Sequence, residues 1–433
     1  MRGRLCGEGM KKNFFGKVIS AIRQGTFWRK VNDKIADFTE TFLFSLLFHP
    51  SVVRWFCRRV WRKVDDRKIV FLNFHGHGYG CNPKYIAREL LARRNDFKIV
   101  WLVKKNASPQ AFPEGIKPVN YSGIAALKEL ATAKYWCNNQ SFNALIKKGL
   151  EKKPGQIYIQ TFHGALGIKR IGEDILTPGE VPPPWVALIR RDAAMIDYLI
   201  ANSSWEAEVV YKKRFYGRGK ICMFGHPRND VFFAPDREVL RDEVRRRLGI
   251  DPETKIILYV PTFRDSLRMD CYDIDADGIC AAMSRRFGGS WKMLVRFHPK
   301  IKKYRKLIAQ YGDVLDVTKY PDIQELLLLA DAVLSDYSSC MFDYMLSGRP
   351  AFIFAPDLEL FNHERGFYFP LESSPMPVAQ NHRQLLENIV KFDPEKYQAQ
   401  VKEFIAGKGC VEDGSASRQV VDLIEKTMGG KQE

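Results

Sequence analysis

Beyond residue 68 the chain alternates between short apolar runs and longer stretches with apolar positions every three or four residues. Segments 69–74 (IVFLNF), 98–103, 135–138, 157–161 and 198–202 lack a polar face, the pattern of strands buried on both sides of a parallel sheet. Amphipathic stretches follow them: CNPKYIARELLARR, a helix near 123–131, and SSWEAEVVYKKRF, where Glu206 three residues after Ser203 fits a capping box. A charged helix over 236–248 leads into a second series, with strands at 255–260, 292–297, 313–317, 332–335 and 351–355. Between the later strands lie the helix QELLLLA and an apolar helix over 340–346, stopped by Gly348. This repetition predicts an α/β protein with two Rossmann-like, doubly wound domains. The expected units are a basic helical segment at 1–67, an α/β domain at 68–235, a second at 236–395, and a C-terminal helix packing back with a tail at 396–433.

Ligands of open α/β sheets bind at the carboxyl ends of strands. There the chain places Gly76, Gly78 and Gly80, then His163-Gly164 with Lys169 and Arg170 shortly after. A histidine in that place has the protonation range of a general base, and the two cations suit an anionic group on the acceptor side. His75 and His77 read as hydrogen-bonding surface groups. In the second series the strand ends present Thr262 and Arg264, Arg296 and His298, the turn Tyr320-Pro321-Asp322-Ile323, and Ser338-Ser339. Arginine offers a bidentate fork for phosphate, and a helix N-terminus offers free N–H groups and a positive dipole end. Each serine reads equally as an N-cap or a phosphate ligand.

The formal net charge is +18, and roughly half of it sits before residue 68. In that region FLFSLLF (42–48) precedes SVVRWFCRRVWRKV, and aromatics interleaved with basic residues read as an amphipathic helix on anionic lipid. The alternative is that its apolar residues pack on the globular body. No nucleic-acid signature accompanies the charge, so a nucleic-acid partner is not expected. Nine cysteines without paired spacing argue for reduced thiols in the cytosol. No signal peptide and no apolar run of membrane-spanning length are visible.

GYGCNPKYIARELL, QTFHGALGIKRIG, FGHPRNDVFF, ILYVPTFRDS, VRFHP, DVTKYPDIQELLLLADAVLSDYSSCMFDYMLSGRPAFIF and ERGFYFPLE together resemble the CDP-glycerol glycerophosphotransferase family of teichoic acid and capsule biosynthesis. The resemblance implies a GT-B-type pair of facing domains. It also implies transfer of glycerol phosphate from CDP-glycerol to a hydroxyl of a lipid-linked or polymeric glycan, releasing CMP. His163 then matches the base, with His298 as a second catalytic candidate. His298, Ser338 and Ser339 match the grip on the donor pyrophosphate, joined by Thr262, Arg264 and Arg296. Tyr320, Pro321, Asp322 and Ile323 border the cytidine, and Gly164, Lys169 and Arg170 face the acceptor. No motif requires a divalent metal or other cofactor, although Asp336 and Asp343 leave the question open. The implied place is the cytoplasmic face of the membrane, bound peripherally. CDP-ribitol as donor, a nucleotide-sugar glycosyltransferase and a silent binding module are the alternatives.

Overall fold

The computed structural model describes residues 49–429 apart from 94–95, 105–111, 177–180, 265–268, 299–300 and 302–303. The stretch 1–48 with its FLFSLLF run, Asp265, and the Pro299-Lys300 pair lie outside the described residues. Within them are two parallel sheets, each wound in both directions from its middle.

The first sheet holds β1 (Asp65–Leu72), β2 (Lys98–Val103), β3 (Ile116–Asn120), β4 (Ala133–Asn138), β5 (Ile157–Gln160), β6 (Tyr198–Ala201) and β7 (Lys220–Met223). Their order is β3-β2-β1-β4-β5-β6-β7. Ile69 to Leu72 and all of β5 are buried, as strands covered on both faces must be. β3 escapes the sequence pattern because IKPVN contains a proline. Pro118 is tolerated at the sheet's edge, where it and Lys117 stay exposed while Ile116 and Val119 turn inward. Helix α1 (Pro50–Arg59) buries Val53 and Cys57 in this half's core, and Trp61 packs beside them. The apolar face read as lipid-facing is therefore used on the protein body, while Trp55 and Arg58 point outward and Arg58 donates to Glu151 at 2.9 Å. Helix α2 (Cys81–Ala92) follows the glycine-rich turn after β1.

The second half opens with α3 (Arg237–Arg247) and contains β8 (Lys255–Val260), β9 (Trp291–Val295), β10 (Val314–Asp316), α4 (Ile323–Leu329), β11 (Ala332–Ser335), α5 (Cys340–Tyr344), β12 (Ala351–Phe354) and β13 (Val378–Ala379). The strand order is β10-β9-β8-β11-β12-β13. The helix Pro394–Gly407 stays with this core through Tyr397 and Val401. Only the last helix, α6 (Ala416–Gly429), returns to the first sheet, where Val420, Val421 and Ile424 are buried and Tyr135 Oη donates to the Ile424 carbonyl at 2.9 Å.

The halves share more than these connections. The loop after β5 sends Ala165, Leu166 and Ile168 into the apolar core of the second half. Tyr368 N donates to Ile168 O at 2.8 Å, and Arg170 N donates to Gly366 O at 3.1 Å. Each sheet reverses direction once, between β1 and β4 in the first and between β8 and β11 in the second. Loops part at such switch points and leave a crevice. The singled-out histidines, arginines and serines stand on the loops at or beside these two places.

Candidate active site

His163 follows β5 in a loop held against strain. Phe162, just before it, has φ 48°, a left-handed conformation that a bulky residue adopts only when its surroundings impose it. Three hydrogen bonds impose it here. Asn82 Nδ2 donates to the carbonyls of Thr161 and Phe162, both at 3.0 Å, and Phe162 N donates to Gln160 Oε1 at 2.9 Å. His163 Nδ1 lies 2.7 Å from the Asn139 carbonyl at the end of β4. A carbonyl can only accept, so Nδ1 carries the proton and the lone pair is on Nε2. Burial, with the cations of Arg228, Lys169 and Arg214 adding to it, pushes the ring down to about 4, so it is neutral at pH 7. A neutral imidazole with a free Nε2 can accept a proton.

Two glycines make room for the loop. A Cβ on Gly164 would lie 2.9 Å from the Phe162 ring, and one on Gly167, at φ +53°, would lie 2.4 Å from Val210 Cγ2. Val210 belongs to a six-residue π-helical turn, Glu206–Tyr211, that supports the loop from below. Ser203 and Glu206 form the expected cap: Glu206 N donates to Ser203 Oγ at 3.1 Å, and the Glu206 carboxylate accepts from Asn202 N at 3.0 Å.

Lys169 and Arg170, expected on the acceptor side, are laid along the second half instead. Lys169 pairs with Phe367 in an antiparallel bridge, and Arg170 Nε donates to the Phe367 carbonyl at 3.3 Å. Burial pulls the Lys169 ammonium down to about 8, partly opposed by Asp336, with Arg365 and Arg264 adding to the fall. It has no ion pair among the described residues.

On the second half the arginines divide. Arg264 is 2% exposed and spent on the chain's own acceptors. It donates to Asp357 at 2.7 and 3.0 Å and to the Thr262 carbonyl at 2.6 Å, and it pairs with Asp336 at 2.7 Å. Tyr337 stacks on it at 4.6 Å. This is a brace, and it engages the guanidinium that the sequence offers as a phosphate ligand. Arg296 is the opposite case. Its Nη1 is buried without a hydrogen-bond partner, its Nη2 reaches only the Pro321 carbonyl at 3.5 Å, and burial lowers its pKa. A buried guanidinium left so is prepared for an anion.

The remaining donor candidates cluster near it. Thr262 N donates to Asp336 at 2.9 and 3.0 Å, and Thr262 Oγ1 is buried without a partner. Ser339 occupies the N-cap of α5 without a side-chain capping bond. Ser338 Oγ donates to Cys340 Sγ at 3.1 Å. Ser338 Oγ also accepts from Cys340 N, the first N–H of α5, at 3.5 Å, whereas the Ser339 hydroxyl makes no capping bond. His298 is exposed, its ring 5.8 Å from Phe263. In the turn at 320–323, Asp322 points inward. It caps α4 by accepting from Gln324 N at 3.2 Å and pairs with Lys84 of α2 at 2.7 Å. Lys84 also binds Glu325 at 2.7 Å, which clamps this turn to the first half.

The carboxylates that left a metal in question are occupied by protein donors. Asp336 accepts from Thr262, Tyr337 and Arg264, and Asp343 accepts from Arg228 at 2.9 and 3.1 Å and from Asn229 at 3.0 Å. Among the described residues no three His, Cys, Asp or Glu side chains gather as a metal site.

A family profile described as CDP-glycerol:poly(glycerophosphate) glycerophosphotransferase matches residues 55–426. The chain belongs to that family. It is 31% identical over 84% of its length to the teichoic acid poly(glycerol phosphate) polymerase of Staphylococcus epidermidis, covering 51% of that relative. It is 27% identical over 97% of its length to the enzyme of the same description from Bacillus subtilis, covering 54%. The chain thus spans about half the length of these two relatives. Among solved structures, the wall teichoic acid polymerase TagF superposes with a TM-score of 0.76 at 27% identity, covering 92% of this chain and 98% of that one. A histidine-to-asparagine variant of TagF soaked with CDPG gives 0.75 at 26% identity, with the same coverage.

Within this family member, sequence reading passed over the residues that hold His163 in place. Asn82, Asn139, Gln160, Arg228 and Asp343 carry no local signature, although Arg228 stands in the quoted FGHPRNDVFF. Arg228 N donates to Asn82 Oδ1 at 3.1 Å, so Asp343 of α5, Arg228 and Asn82 form a continuous link to the carbonyls before His163.

Proposed function

We propose that this chain transfers glycerol phosphate from CDP-glycerol to a hydroxyl of a polyol phosphate polymer carried on a lipid-linked glycan, releasing CMP. The observations that carry this reading are the neutral His163, with Nδ1 tied to Asn139 and Nε2 without a partner among the described residues, and, on the second half, an Arg296 whose Nη1 is unpartnered and a Ser339 hydroxyl that makes no capping bond. The acceptor hydroxyl oxygen attacks the β-phosphorus of the donor, and its proton passes to His163 Nε2. A new O–P bond forms in line as the bond from the β-phosphorus to the bridging oxygen breaks, and CMP departs with that electron pair. Arg296, the N–H groups at the start of α5 and the Ser338 and Ser339 hydroxyls take the charge that develops on the leaving phosphate. Lys169, carried by the His163 loop, holds the transferred phosphoryl oxygens from the other side. Such a reaction asks mainly for alignment and charge stabilisation.

In this reading the two sheets face each other as a GT-B pair across the crevice. The basic N-terminal segment, with Trp55 and Arg58 of α1, brings the enzyme to anionic lipid at the cytoplasmic face, where the acceptor is held. The deciding experiment offers CDP-glycerol, CDP-ribitol and UDP-sugars with a lipid-linked acceptor extract and measures CMP or UDP release. CMP release with CDP-glycerol is expected, and its loss in His163→Ala with donor affinity retained. Release of UDP alone, or undiminished turnover in His163→Ala, would overturn the assignment.

A further inference from the structure

Arg214 is the cation near His163 that neither the fold nor the donor grip uses. It ends the short helix Lys212–Arg214 that continues the π-helical turn. The rings of Tyr211 and Phe215 on either side of that helix pack on Phe162 at 5.8 and 6.0 Å, which sets Arg214 directly behind the His163 loop. Its stem rests where Gly172 has no side chain: a Cβ there would lie 3.0 Å from Arg214 Cδ. Its guanidinium lies 5.1 Å from the Phe215 ring centroid and makes no hydrogen bond or ion pair with any described residue.

The carboxyl groups nearby make their hydrogen bonds elsewhere. Asp192 is the opposite charge that Arg214 feels most, but it accepts from Phe142 N at 2.9 Å and Tyr158 Oη at 3.4 Å, and burial pushes it up to about 7 against the pull of Arg214, which weakens it as a counter-ion. Glu173 is taken by Arg190 at 2.9 and 3.0 Å and by Tyr216. Asp174 accepts from Tyr368. Tyr121 Oη, which feels the Asp192 charge, is buried without a partner, as are Gln140 Oε1 and Asn143 Oδ1 on the segment whose Phe142 N donates to Asp192. A lone guanidinium beside unsatisfied hydroxyl and amide groups matches a ligand with both an anionic centre and hydroxyls. Lys169 takes His163 toward the second half through its bridge to Phe367, whereas Arg214 belongs wholly to the first half.

We propose that Arg214, with the polar edge around Asp192, forms a subsite for a phosphate of the acceptor chain next to the hydroxyl that reacts at His163. It takes a phosphodiester-linked polyol, and an uncharged polyol with the same terminal hydroxyl binds it less well. The inference rests on the transfer reading above, because it is the acceptor in that reading that carries phosphates.

The test measures direct binding of a fluorescently labelled synthetic glycerol phosphate oligomer, and separately of labelled oligoglycerol without phosphate, to the full chain by anisotropy. Arg214→Gln should weaken oligomer binding by about tenfold or more, the loss of a charge-assisted hydrogen-bond pair. Arg214→Lys should recover part of it, and affinity for oligoglycerol and for CDP-glycerol should move by less than about twofold. In turnover the same variant should raise KM for the oligomer and not for CDP-glycerol. Oligomer affinity unchanged in both variants, or absent in the unaltered chain, overturns the subsite. If Arg214→Gln does not fold, the Arg214→Lys comparison decides. Oligomer binding that depends on Arg214 in a chain that never releases CMP from CDP-glycerol would sink the transfer reading and leave the subsite standing.

Discussion

The free Nε2 of His163 sets how activity responds to acid. The ring is held near 4 by burial and by three cations, so the base proposed for the transfer is neutral across the neutral range. We expect kcat/KM for CMP release to stay level as pH falls through 6.5, the ordinary histidine value, and to drop only as it nears about 4. An acid limb centred near 6.5 would remove His163 from that role. Gly167 offers a second test. Its left-handed φ and the 2.4 Å approach to Val210 leave no room for a methyl group. Gly167→Ala should cost about 1–3 kcal/mol and lower kcat. Adding Val210→Ala should return part of the stability in a denaturant titration but not the part due to backbone conformation. The sequence singles out His163 because glycine and basic residues surround a lone histidine at a strand end, and the fold shows that strand end to be the carboxyl end of β5. The bracing of Arg264 was not legible, because its partner Asp357 stands 93 residues away and spacing carries no trace of such an ion pair.

Helix α5 joins the two sites. It opens with the serines, and Asp343 in its middle grips Arg228, itself 2% exposed. Arg228→Met strands a buried carboxylate and should destabilise the chain by about 3–5 kcal/mol. Replacing both partners, Arg228→Met with Asp343→Leu, should recover much of that loss in urea unfolding, yet leave kcat low, because the backbone N–H of residue 228 still donates to Asn82 but has lost the side-chain anchor that fixes its position. Recovery of kcat along with stability would show the link to be structural only. At this scale sequence periodicity predicts most strands well, since a strand buried on both faces has no choice but to be apolar. It passes over β3, where an edge position admits Pro118, and β13, which is two residues long. Periodicity alone does not tell which apolar positions of α1 meet the body, because a helix face that buries Val53 and Cys57 in a protein core reads in sequence like one that meets lipid.

Across the whole molecule, Lys84 is the tie whose loss should be felt in both halves. It lies on α2 of the first half and neutralises Asp322 and Glu325 of the second. Burial alone would raise the Asp322 carboxyl; Lys84 outweighs it and holds the group below its ordinary range. A carboxylate depressed in the folded state stabilises it above the unfolded value of about 4 and loses that contribution as pH falls through the folded value. Lys84→Met should therefore be less stable at neutral pH, and its stability should fall less between pH 5 and 3 (about that window) than that of the unaltered chain. Equal acid sensitivity in the two would mean the tie carries no charge linkage. Because Asp322 borders the turn expected at the cytidine, the variant should also raise KM for CDP-glycerol.

The loop that passes from β5 into the second core bears on how such enzymes can be recombined. His163 is covalently part of the first half, but Leu166 and Ile168 are seated in the second, each worth about 1.5–3 kcal/mol of burial. A chimera cut between the sheets would pair one parent's His163 loop with the other parent's seat for it. Exchange of donor halves between relatives should succeed only when residues 165–171 travel with 365–368, so that the unit of inheritance for the chemistry is this seam and not either sheet.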